Sequence, residues 1–304
     1  ERQEQWLPRG MKTVKWVGAK RKSELNTLLT ATVMIRRLKS EVLTQLPKKR
    51  RQRITLDASK LDTEKMKEIR CFLNDEEFEG LDGNSGASPQ LMEIFKKTAE
   101  AKLEGVAEYA EYLLSNDIKF LLFAHHHVML DGLEQKLKAL SAKYIRIDGK
   151  TPQQGRSALV EQFQKDEAVR VALLSITACG QGLTLTAAHT VVFAELYWVP
   201  GQMMQAEDRV HRIGQTEMVD VHYCIAEGSL DERVFASLNK KARDTTAILD
   251  GAERCLDAWR QTAAPSLAED RPEPVKRSHQ QEPQGISKYF KVSKEATAGI
   301  DLDP

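Results

Sequence analysis

Between Lys119 and Ile225 the sequence repeats one pattern five times: a short run of apolar residues, then a longer segment with helical spacing. The runs are KFLLFAH (119–125), KYIRIDG (143–149), RVALLSI (170–176), TVVFAEL (190–196) and VDVHYCI (219–225). Residues that are apolar in succession, not in alternation, suit strands buried on both faces. The intervening segments carry helix signals. Val128 to Leu140 has helical spacing. Thr151-Pro152-Gln153-Gln154 reads as a capping box with Pro at the first helical position, opening a helix to Phe163. Ser229-Leu230-Asp231-Glu232 opens another, to about Ala247. Strands alternating with helices require a parallel sheet covered on both sides, because parallel neighbours need crossover connections. The expected fold is α/β, a doubly wound, mostly parallel sheet.

The flanks set the expected divisions. Leu25 to Leu46 keeps apolar residues at helical spacing (Leu28, Leu29, Val33, Met34, Leu38, Val42), and Pro47 ends it. Residues 1–53 hold 15 Lys/Arg against 4 Asp/Glu, a net +11, so the remainder of a chain with net charge +1 carries −10. Such asymmetry points to an anionic partner, nucleic acid first, or else to a solvated basic face. Lys48, Lys49, Arg50 and Arg51 are its densest run. Residues 54–115 read as a helical lead-in, interrupted by the turn-rich LDGNSGAS and resumed at Ser88-Pro89 in a long helix from about Leu91 to Leu114. Residues 116–264 form the main domain. Residues 265–304, rich in Pro, Ser, Gln and charge, are expected to be a disordered tail. No run approaches 18 apolar residues and no hydrophobic signal core opens the chain, so no membrane association is expected. The chain begins without Met and reads as a fragment.

Metal chemistry finds little support. The cysteines (Cys71, Cys179, Cys224, Cys255) form no CxxC pair. In His125-His126-His127, strand alternation sends neighbours to opposite faces, so the three cannot converge on one ion. No metal site is expected.

The chemistry concentrates in QAEDRVHRIGQ (205–215). On a helix, Arg209 and Arg212 would lie three residues apart on one side, so both guanidinium forks could reach one anion. The segment resembles motif VI of superfamily 2 helicase-like ATPases, in the form found in Swi/Snf-type DNA translocases. KFLLFAHH (119–126) resembles motif IV of that family, YIRIDGKT (144–151) the strand and loop after it, and SITACGQGLTLTAAHTVVF (175–193) motif V. MIRRLKSEVLTQLPKKRR (34–51) resembles the stretch joining the first ATPase lobe to the second. FAELYWVPG (193–201) is similar to the annealing-helicase branch, where nucleosome remodellers usually carry an acidic segment. Cys179 and Val199 depart from the family's usual residues while roughly keeping their size.

The resemblance implies a RecA-like second helicase lobe, preceded over residues 1–53 by a remnant of the first lobe and the connection between them. It implies Arg212 as the arginine finger, with Arg209 beside it and Gln205 as helper, and Gly180, Gly182 and Asp208 on the nucleotide side. Ser175, Thr177 and Thr151 would contact DNA phosphates without reading bases, although Thr151 equally reads as only a helix cap. ATP with Mg would be the cofactor, held mainly by a first lobe. No GxxxxGK[ST] loop and no DExH box occurs here; Gly149-Lys150-Thr151 lacks the first glycine, Tyr144 standing in its place. By itself the chain is therefore not expected to hydrolyse ATP. The resemblance further implies a nuclear protein of fork remodelling and repair. A nucleosome-remodeller lobe and a non-enzymatic binding fragment remain the alternatives. In the tail, Ile286, Tyr289 and Phe290 keep the spacing of a sliding-clamp (PCNA) interaction box, with Gln284 one residue late; a chance Tyr-Phe pair is the other reading.

Overall fold

The computed structural model describes residues 2–6, 12–16, 20–74, 89–178, 182–252, 256 and 259–262. Strands β1 (Arg2–Trp6) and β2 (Lys12–Trp16) pair antiparallel in a sheet of their own. The main sheet has seven strands: β3 (Lys49–Thr55), β4 (Phe120–Ala124), β5 (Lys143–Ile147), β6 (Val169–Ser175), β7 (Thr190–Phe193), β8 (Val219–Ile225) and β9 (Trp259–Thr262). Their order is β5-β6-β4-β7-β8-β3-β9 and every pairing is parallel. All five apolar runs become strands. All residues of β4, β7 and β8 are buried, as expected for strands covered on both faces.

Helix α5 (His127–Ala139) carries the chain from β4 outward to β5, and α6 (Gln153–Lys165) brings it back to β6. With right-handed crossovers, opposite directions of travel put these two helices on opposite faces. Beside α5 packs α4 (Pro89–Ser115), which also meets α8 (Leu230–Leu249). The Lys102 side chain of α4, 1% exposed, donates to Asp231 Oδ2 at 2.8 Å and to the Cys224 carbonyl at 3.2 Å. Burial raises the Asp231 carboxyl even beside Lys102. The long helix is thus a structural layer of the domain and not a lead-in to it.

Three local expectations are corrected. The boundary at residue 53 cuts through β3, an inner strand between β8 and β9. The single helix expected over 25–46 is broken into α1 (Lys22–Thr32) and α2 (Lys39–Val42), which bury no residue. Its apolar spacing meets no core there: Val33 and Ile35 are 80% and 92% exposed, and a helix without burial has little to propagate it. Nevertheless α1 lies along α8, with Asn26 Nδ2 donating to the Ile248 carbonyl at 2.8 Å and Lys22 paired with Asp244. Lastly, Thr151 does not cap α6. Its hydroxyl accepts from the Asp148 amide at 3.0 Å and lies 3.2 Å from Asp148 Oδ1, closing the turn before the helix.

The remaining helix α3 (Thr63–Asn74) buries Met66, Ile69 and Leu73. Residues 265–304 lie outside the described residues.

Because Ile54 is fully buried on β3, Ile54→Ala is expected to destabilise the domain by about 2–5 kcal/mol, as for other large core truncations. Urea denaturation followed by circular dichroism checks this; a cost under about 0.5 kcal/mol, typical of surface changes, would place residue 54 outside the core.

Candidate nucleotide and nucleic-acid site

Helix α7 (Pro200–Glu207) begins with Pro at its first position and runs from the strand-end edge of the sheet back to the strand-start edge. It stops at Glu207, so Arg209 and Arg212 stand on turns instead of a helical face. Glu207 is the residue on which this region is built. Its carboxylate is 0% exposed, with Lys49 Nζ at 2.7 Å, Arg51 Nη2 at 2.7 Å, Arg51 Nε at 3.0 Å and the Tyr223 hydroxyl at 2.5 Å. Burial alone would raise the Glu207 carboxyl, but the two cations beside it hold it down at about 2. Burial opposes the Arg51 charge as well, and Glu207 more than compensates, raising its pKa.

This arrangement reassigns the basic run. Alternation along β3 sends Lys49 and Arg51 to one side, toward Glu207, and Arg50 to the other, where its Nε donates to Asp220 Oδ1 at 2.8 Å. Arg50 and Asp220 are direct partners in the parallel register. Lys49, Arg50 and Arg51 are therefore internal counter-charges, and the free basic patch expected there shrinks to Lys48, which is exposed.

The rest of the segment is held from two sides. Lys39 pairs with Asp208 at 2.6 Å, and His211 Nε2 lies 2.8 Å from the Pro47 carbonyl. Burial lowers the His211 pKa, which favours the neutral ring in that contact. On the other side lies the segment that precedes β7. Leu185 N donates to the Arg209 carbonyl at 3.0 Å, Arg212 Nη1 donates to Thr184 Oγ1 at 3.0 Å, and Gln215 Nε2 donates to the Ala188 carbonyl at 2.8 Å. Arg209 is buried and Arg212 only half-buried, so Arg212 is the guanidinium with access to a ligand. Gln205 is exposed on α7. Gly182 takes φ +32°, a left-handed conformation that disfavours a side chain, two residues before Thr184. Gly180, and the tail residues Ile286, Tyr289 and Phe290, lie outside the described residues.

The hydroxyl set stands at the opposite edge, where strands end. Ser175 is the last residue of β6, its Oγ 3.1 Å from Thr177 Oγ1; Thr177 is exposed and Thr151 half-buried. Sequence reasoning missed the two residues that hold this edge. Arg156 donates to the Asp148, Thr151 and Ala178 carbonyls at 3.2, 3.1 and 3.3 Å, tying the loop after β5 to the one after β6. Glu195, 1% exposed just beyond β7, accepts from the His125 and His126 amides at 2.8 and 2.9 Å and lies 2.5 Å from His126 Nδ1. A carboxylate directly after a buried strand was the available signal for Glu195. Arg156 and Glu207 had none beyond ordinary polar positions. The Trp198 ring packs on Phe95, centroids 4.9 Å apart. Among the described residues no three His, Cys, Asp or Glu are placed to hold a metal ion, and no helix is long and apolar enough to cross a membrane.

The candidate residues thus form a cationic set at one edge and a hydroxyl set at the other. A parallel sheet flanked by helices in this order fits the RecA-like second lobe of a helicase-type motor. Residues 102–214 match the helicase conserved C-terminal domain, and most of the chain is similar to annealing helicases and SWI/SNF-related proteins. It is 51% identical over 248 residues to the DNA annealing helicase and endonuclease ZRANB3 of Mus musculus, and 48% identical over 246 residues to that of Homo sapiens. It is 44% identical over 227 residues to the SWI/SNF-related matrix-associated actin-dependent regulator of chromatin subfamily A-like protein 1 of Xenopus tropicalis. These alignments cover 79%, 79% and 74% of this chain, but only 23%, 22% and 24% of the relatives. The chain thus spans about a quarter of their length. Among solved structures, the C-terminal part of the Fun30 ATPase domain is 30% identical, with a TM-score of 0.43, covering 45% of this chain and 44% of that one.

Two outcomes follow from the buried carboxylate. Arg51→Gln, which strands part of the Glu207 charge, is expected to cost about 3–5 kcal/mol in chemical denaturation, as when other buried pairs lose one partner. A change confined to DNA affinity would contradict the assignment. The hub's contribution to stability is complete above the unfolded carboxyl value of 4.5 and is lost as pH falls toward about 2. Stability measured between pH 5 and 2 should therefore fall more steeply in the wild type than in Glu207→Gln.

Proposed function

We propose that this chain is the second motor lobe of an ATP-dependent DNA annealing helicase, acting on forked or double-stranded DNA in replication-fork remodelling and repair in the nucleus. The carrying observation is Arg212: a half-buried guanidinium at the strand-start edge, oriented by Thr184 Oγ1 and, at 3.4 Å, by the Leu183 carbonyl. The mouse and human relatives, both DNA annealing helicases by name, support the annealing-helicase branch.

ATP supplies the phosphoryl group when bound. The residues here suit its phosphate end only in part, giving a permanently charged fork but, over this sequence, no phosphate loop. Arg212 stabilises charge on the transferring group, and its return-segment anchors keep it from wandering. Arg209, buried, holds Leu185 through its carbonyl and so fixes the turn from behind. At the far edge Ser175, Thr177 and Thr151 offer hydroxyls to the DNA backbone, which gives contact without base readout.

In the full-length protein carrying this chain, Arg212→Ala is expected to lower DNA-stimulated ATP hydrolysis by about 10³–10⁵-fold, the usual worth of an arginine finger. Nucleotide binding should largely survive, because the finger acts on transition-state charge. Steady-state turnover and fluorescent-nucleotide titration read the two quantities. Near-normal turnover would remove Arg212 from this role.

A further inference from the structure

We infer that Glu207 is a positioning residue for Arg212, holding the arginine-bearing turn in register through its ion pairs to Lys49 and Arg51 of β3. The inference rests on the reading of Arg212 given above and adds to it a device outside the recognised motif residues.

The argument begins with where α7 ends. Beyond Glu207 no helical ladder continues, so the location of Arg212 is set by bonds made in the turns and by side chains. Glu207 contributes to both. Its carbonyl accepts from the Val210 and His211 amides, each at 3.1 Å, which shapes the turn leading to Arg212. Its carboxylate meanwhile fastens the base of that turn to an inner strand of the sheet, through Lys49 and a two-point contact from Arg51. Two neighbours repeat the attachment on the same side. Lys39 reaches Asp208 at 2.6 Å and the His211 carbonyl at 3.4 Å, and His211 Nε2 meets the Pro47 carbonyl. The connecting segment from Lys39 to Arg51 therefore acts as a strap across the turn.

On its other side the same turn meets the segment that precedes β7. Arg212 itself contributes to that contact through Thr184 and Leu183. A ligand that draws Arg212 away from Thr184 would remove that share of the contact, leaving the strap, with the Leu185 and Gln215 bonds, to hold the turn. A finger has to meet the reacting group within a fraction of an ångström, and misplacement by about 1 Å can cost about 10²-fold in rate. A buried, doubly compensated carboxylate suits this task because a bidentate guanidinium contact fixes direction as well as distance.

The test is a double-mutant cycle in the full-length protein, reading kcat and KM for ATP under saturating DNA, with thermal melts showing that each variant is folded at the assay temperature. Glu207→Gln keeps the size of the side chain and removes its charge. It is expected to lower kcat about 10- to 100-fold with KM for ATP changed less than twofold. In an Arg212→Ala background the same substitution should change kcat less than twofold, since a residue acting through Arg212 has nothing left to position. If Glu207→Gln does not fold, Arg51→Lys, which keeps the charge but loses the two-point contact, goes through the same cycle with the same expectations. Unchanged kcat, a loss that falls on KM, or an equal loss with and without Arg212 would overturn the inference. The failure of the underlying reading looks different: Arg212→Ala would then itself turn over normally.

Discussion

A carboxylate removed from water is costly unless its charge is met, and at Glu207 it is met by two cations and a phenol. Those cations stand about 160 residues upstream, on a strand that must lie beside β8 before Glu207 can be buried. The pairing therefore ties together three things that the sequence keeps apart: the basic arm, the parallel sheet and the arginine turn. Tyr223 of β8 adds the fourth contact from the middle of the sheet. Were β3 absent from its place between β8 and β9, the carboxylate would be left uncompensated and the turn unattached.

The opposite edge follows the same physics with the charges distributed differently. One buried anion, Glu195, gathers the amides that start α5, satisfying donors that a helix leaves without an internal partner. One cation, Arg156, gathers three carbonyls from two loops. The loops that carry Thr151, Ser175 and Thr177 are thereby fixed by buried or half-buried charges behind them. His125 joins the packing between Phe95 and Tyr197, and His126 is held by Glu195, so the histidine run serves this edge as structure.

How far the fold was legible is clearest strand by strand. Whereas the edge strand β5 alternates and is buried on one face, β4, β6, β7 and β8 each announce themselves as short apolar runs, because burial on both faces demands it. Strand β3 does not: KRRQRIT is mostly charged, and it enters the sheet because its alternate residues find Glu207 on one side and Asp220 on the other. Likewise the helical spacing of 25–46 is genuine but buries no residue, and the helix breaks after Thr32. The motif arginines were legible as residues and misread as geometry, since α7 ends at Glu207 and the arginines stand on turns beyond it.

The sequence by itself determined the class of fold, the identity of the arginine segment and the family, because apolar runs and a near-continuous motif are local properties of the chain. Only the tertiary structure decided which charges are partners and which are free. Lys48 and Lys49 are adjacent and chemically identical, yet one faces solvent and the other a buried carboxylate. A charge in a sequence carries no direction. It acquires one when strand alternation and sheet register place it opposite a particular neighbour, and here that neighbour lies far along the chain.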